Sequence, residues 1–130
     1  MTADAALLEA YAEWRRLAEF QGEAIRSSQW ATVSDCHARL SALHLCIVRL
    51  ADQARQEGRR AGADLTEKEN NVRRIIADLS ELEMANNSFL TAAKENARQQ
   101  LTRLDGARQN LKRIQRSYSS SYSAVWNSFS

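Results

Sequence analysis

Residues 72–114 read VRRIIADLSELEMANNSFLTAAKENARQQLTRLDGARQNLKRI, and the reading of this stretch decides the fold. Val72, Ile75 or Ile76, Leu79, Leu82, Asn86, Phe89 or Leu90, Ala93, Ala97, Leu101, Leu104, Arg108, Leu111 and Ile114 recur at steps of three and four. That is close to a 3.5-residue period held for about six heptads, the mark of a helix seam in an antiparallel hairpin or bundle. Asn86 falls on the seam. It reads either as a buried residue that sets register or as a polar residue at the seam edge bonded to its own turn. Gly106 costs about 1 kcal/mol in such a helix and marks a bend or a fraying point.

Upstream, Thr66-Glu67-Lys68-Glu69 has the form of a capping box, so this helix is predicted over about 64–116. Gly58 and Gly62, on either side of Arg59-Arg60, supply the firmest break in the chain, with glycine at a C′ position. Before it a helix is predicted over about 29–58, with Trp30, Val33, His37, Leu40, Leu43 or His44, Ile47, Leu50 and Ala54 on one face. The first helix is predicted over about 3–26, with Asp4 in its first turn and Leu7, Tyr11, Trp14, Leu17 or Ala18, Gln21 and Ile25 as its stripe. Ser27-Ser28 ends it and offers an N-cap to the next segment, which permits two helices or one kinked rod.

Composition agrees. The 130 residues include no proline and four glycines, too few to punctuate a β-sandwich or barrel. Of the 44% hydrophobic residues, 21 are alanine and only 31 are large and apolar, so the core is thin and linear. The expected fold is all-α: an elongated antiparallel helical hairpin or three-helix coiled-coil-like bundle with a long C-terminal helix. Helices of such unequal length imply that the third projects beyond the others unless a partner or a second copy covers it.

Several functional classes are excluded on the same residues. No stretch approaches the roughly 18 apolar residues of a membrane span. No basic segment followed by an apolar core opens the chain, so a cytoplasmic location is expected. Cys36 and Cys46 then read as reduced thiols, and ten residues along one helix separate them by about 15 Å, too far for a disulfide. His37 and His44 lie about 10 Å apart on one helix, too far to share a metal. No zinc-type spacing, Glu-x-x-His pair or glycine-rich phosphate loop occurs. Serine is plentiful, but no base or oxyanion site is placed beside one. Asn86-Asn87-Ser88 matches a glycosylation sequon by chance. No catalytic residue, cofactor or metal is expected, and a net charge of +2 makes no case for nucleic acid.

The C-terminal end is different material. Lys94 to Arg116 holds seven Lys or Arg against Glu95 and Asp105. Residues 117–130 then carry no charge, with seven serines and the aromatics Tyr118, Tyr122, Trp126 and Phe129. On a helix these aromatics share a face, but serine-rich sequence is weakly helical alone. This tail reads as a helical extension finishing the chain's own core or as a segment ordered by a partner. An interfacial membrane helix is disfavoured because the tail has no Lys or Arg.

The layout resembles the bacterial flagellar export chaperones of the FlgN type, and more loosely their FliT-type relatives. The resemblance rests on an early Leu7-Leu8 and on Ser28-Gln29-Trp30 at a helix interruption. It rests also on Leu79-x-x-Leu82-x-x-x-Asn86-Asn87-x-x-Leu90 and on Leu101-x-x-Leu104-x-Gly106-x-Arg108-x-x-Leu111 in the last helix. It implies a cytoplasmic chaperone that holds the C-terminal segment of a hook–filament junction protein and delivers it to the export gate. It also implies that the last helix is the working region, with Leu101, Leu104, Leu111 and Ile114 as apolar anchors. The serine-aromatic end departs from the family pattern and leaves open whether it meets cargo, the gate or another copy. The residues point the same way: an uncovered apolar stripe offers a face to an amphipathic partner helix. Arg98, Arg103, Arg108, Lys112 and Arg113 would speed encounter with an acidic partner. The expected partner-binding set is Leu101, Leu104, Arg108, Leu111, Ile114, Tyr118, Tyr122, Trp126 and Phe129. A self-associating coiled-coil adaptor, a homodimer through the third helix, is the alternative.

Overall fold

The computed structural model describes residues 2–128, with side chains through residue 120. It is all-α: α1 (Ala3–Arg26), α2 (Trp30–Arg60) and the long α3 (Thr66–Ser128), with no strand among the described residues. Two compact units divide the chain, Met1–Thr91 and Ala92–Ser130.

The first unit is a three-helix bundle. Thr2 caps α1, its hydroxyl accepting the Ala5 N–H at 3.2 Å, and Asp4 sits in the first turn where the helix end is positive. The three-four spacing then buries Leu7, Tyr11, Trp14, Leu17, Ala18 and Ile25 as expected, and leaves Gln21 half-buried. α2 runs back along α1: Ala3 N–H donates to Glu57 Oε2 (3.4 Å) at one end and Gln21 Nε2 to the Val33 carbonyl (3.4 Å) at the other. α3 runs parallel to α1. Lys68 pairs with Asp4 at 3.0 Å, Trp14 Nε1 donates to Glu83 at 2.8 Å, and Asn86 reaches Ala18. Leu79, 1% exposed, is the α3 residue deepest in the core shared by Leu7, Trp14, Leu40 and Ile47.

Both turns use one device. At the first, Gln29 N–H donates to the Ala24 carbonyl and Ser28 N–H to Ile25, with Ser28 at φ +56°. At the second, Ala63 N–H donates to Gly58 and Gly62 N–H to Arg59, with Gly62 at φ +69°. These paired six-to-one and five-to-two bonds are the Schellman closure, with a left-handed residue at C′. α1 and α2 are therefore separate helices rather than one kinked rod.

Three local expectations are corrected. α2 runs past the expected end at 58 to Arg60, so Gly62 is the C′ glycine and Gly58 lies inside α2, where the Leu65 side chain fills the space a Cβ would occupy. Thr66 and Glu69 form no capping box: Asp64 Oδ1 accepts the Thr66 N–H at 3.0 Å, and Glu69 N–H donates to the Leu65 carbonyl at 2.8 Å. Asp64 reaches that N–H first because a short carboxylate closes onto the backbone two residues on. On α2, Trp30 (47% exposed) and His37 lie on the flank, and Cys36 is buried instead. The inward rows are Val33-Leu40-Ile47-Ala54 and Cys36-Leu43-Leu50, and the row at 30, 37 and 44 lies beside them.

Asn86 is 5% exposed and bonds across the bundle rather than to its own turn, its Nδ2 donating to the Ala18 carbonyl at 2.7 Å. It fits because residue 22 is glycine: a Cβ there would lie 2.6 Å from Asn86 Oδ1.

Candidate functional site

In the second unit every described side chain from residue 94 to residue 120 is exposed. Helical periodicity gathers the apolar ones. Leu104, Leu111 and Tyr118 follow one another at seven-residue steps; Leu101 and Ile114 stand on either side of that row. Exposures are 63% for Leu101, 64% for Leu104, 55% for Leu111, 57% for Ile114 and 77% for Tyr118. Arg108, a heptad on from Leu101, places a guanidinium on the same face. Tyr118 does not pack into a core, which answers for this residue the question left open by the sequence. The backbone of α3 continues through the serine-rich segment to Ser128. The side chains of Tyr122 and Trp126, and all of Phe129, lie outside the described residues.

The polar groups around this row form little internal structure. Arg98 donates to Glu95 through Nε (3.0 Å) and Nη2 (2.6 Å), and Thr102 Oγ1 donates to the Arg98 carbonyl at 3.0 Å. The hydrogen bond from Arg98 holds the Glu95 carboxyl below its usual value, and the same contact raises Arg98. Among the described residues, Lys94, Arg103, Arg108, Lys112, Arg113 and Arg116 make no ion pair. The face can therefore offer apolar contact area and unpaired cations.

Two features of the first unit were not visible in the sequence. A cleft of about 420 Å³ has an apolar floor that includes Leu7, Ala54, Leu65 and Val72, with Arg55, Arg59 and Arg73 on its walls. Its lining comes from all three helices, so no single stretch announces it. A polar cluster brings Trp14, His44 and Glu83 together: the two rings meet edge to face at 4.5 Å, and His44 Nε2 lies 3.2 Å from Glu83 Oε1. The His44 approach does not have hydrogen-bond geometry, and its Nε2 is buried without a hydrogen-bond partner among the described residues. His37 takes no part. Among the described residues no group of three or more His, Cys, Asp or Glu could hold a metal ion, and no helix is long and apolar enough to cross a membrane.

Comparison with known proteins finds no matching family model, no matching curated protein and no matching solved structure.

Proposed function

We propose that the chain is a non-enzymatic binding protein that shields a segment of another protein, acting as a cytoplasmic chaperone. The supporting observation is the run Leu101, Leu104, Leu111, Ile114 and Tyr118 with more than half of each side chain exposed. An apolar row of this length invites capture by an amphipathic segment, with anchors at heptad spacing. Within that reading, the resemblance to FlgN-type chaperones suggests the cargo, the C-terminal segment of a hook–filament junction protein on its way to the export gate. Arg108 stands a heptad on from Leu101, and Tyr122 and Phe129 repeat that spacing in the sequence, while Trp126 stands one residue past the position that continues the Leu104 spacing.

Paired substitution Leu104→Asp and Leu111→Asp tests this. Both side chains are exposed, so circular dichroism and melting should match the parent. Binding of a fluorescent C-terminal segment from such a junction protein should fall at least about 100-fold, since two interface anchors at about 1.5–3 kcal/mol each are lost. Unchanged binding would remove this face from the reading.

A further inference from the structure

We propose that the cleft of the first unit binds a small amphipathic anion, an apolar body with one carboxylate or phosphate head. The site is built from residues between Asp4 and Ile76 and owes nothing to the exposed face beyond residue 92. Its apolar lining is Leu7, Ala51, Ala54, Leu65, Val72 and Ile76. Leu7 is 5% exposed and Ile76 37%, so this lining runs from the core out to solvent. Here the three helices leave about 420 Å³ unfilled. Apolar side chains bordering such a space forgo the packing contacts of a filled core, and an apolar ligand would restore them.

The charged lining is not balanced. Asp4 and Lys68 pair with each other at 3.0 Å. That leaves Arg55, Arg59 and Arg73 against Glu69 alone. None of these four side chains makes an ion pair or a hydrogen bond among the described residues, although Glu69 stands only one turn before Arg73. Arg55 and Arg59 are one turn apart on α2 and Arg73 is on α3, so cations line the cleft from both helices.

These two properties together select the ligand. An apolar floor alone would take a neutral hydrocarbon, and arginines alone would take inorganic phosphate. A molecule with both ends displaces water from the floor and gives its oxyanion to the guanidinium forks, which match carboxylate and phosphate geometry. Size favours a small molecule over a protein segment. Small-ligand sites are concave spaces of about 300–1,000 Å³, a range that includes this cleft, whereas stable protein interfaces spread over more than about 1,000 Å².

The test uses the full chain and probes that share one tail: octanoate, octyl phosphate, octanol and octyltrimethylammonium, with acetate as a head without the tail. Isothermal titration calorimetry, run below micelle-forming concentrations, should show one octanoate or octyl phosphate bound per chain. The tighter of these anions should bind at least about 10-fold more strongly than octanol or octyltrimethylammonium, because charge-assisted hydrogen bonds are lost with the head. Acetate should show no measurable heat. Arg55→Gln, Arg59→Gln and Arg73→Gln combined should bring both anions down to the octanol level. All three arginines are exposed, so circular dichroism and melting of this variant should match the parent. Amide shifts on titration should gather at the cleft residues of the first unit. Failure of both anions to bind, affinity no better than that of octanol, or undiminished binding by the triple variant would each overturn the proposal. Amide shifts confined to residues beyond 92 would overturn it as well.

Discussion

Asn86 and Gly22 act as one unit. A methyl at residue 22 would meet the Asn86 carboxamide, which Ala18 already holds, so Gly22→Ala should cost about 1–3 kcal/mol despite alanine's helix propensity. In an Asn86→Ala background the obstacle is gone, and the same change should be neutral or stabilising by up to about 1 kcal/mol. Urea unfolding of the four proteins gives the coupling directly; an equal cost in both backgrounds would dissolve the pair. Tyr11 makes a second residue-level case. Its hydroxyl is buried without a hydrogen-bond partner, and burial raises its pKa while Arg55 lowers it. Burial likewise raises the Cys36 thiol. Both groups ionise more readily in the unfolded chain, so their contribution to stability is whole at neutral pH and lost as pH rises above about 9. Tyr11→Phe should stabilise the protein by about 1 kcal/mol and flatten part of that alkaline decline in a melting series. Asn86 was visible from its place in the apolar row. Its partner was not, because nothing in a sequence says which carbonyl on another helix will lie opposite.

At the scale of elements, the two turns explain why the chain has helices where it does. Gly62 adopts its left-handed C′ conformation without a Cβ penalty, whereas Ser28 holds the same conformation at a cost of about 1–2 kcal/mol. Ser28→Gly should therefore raise stability by roughly 0.5–1 kcal/mol, after the extra unfolded-state entropy of glycine is deducted. Thermal melting would read this as a higher midpoint, and a lower one would show that the serine side chain contributes more than its strain. Helix identity followed from periodicity, and the α1 limits from composition around Ser27. The N-terminus of α3 did not: Asp64 accepts the Thr66 N–H there, and the Thr66–Glu69 spacing does not announce it.

For the whole molecule, stability and binding are expected to reside in different residues. Leu79 is buried among all three helices, and its truncation to alanine should cost about 2–5 kcal/mol. Leu104 is 64% exposed, and Leu104→Ala should move stability by no more than about 0.5 kcal/mol. Urea midpoints for the two variants check this, and comparable losses would mean that the Leu104 side chain is not free to meet a partner.

By itself the sequence determined that this protein is helical, that the chain breaks near Gly58–Gly62, and which side of α1 faces inward. These follow from local causes: residue period, glycine and proline content, and capping residues act within a turn or two of where they stand. It also marked Leu101 to Ile114 as apolar beyond the needs of a thin core. Tertiary structure decided the rest: the burial of Cys36 rather than His37 on α2, the Asn86 bond to Ala18, the meeting of Trp14, His44 and Glu83, and the exposure of the Leu104 row. Those outcomes depend on rotation and register between helices. Many side-chain contacts set them together, and no single stretch of chain contains them.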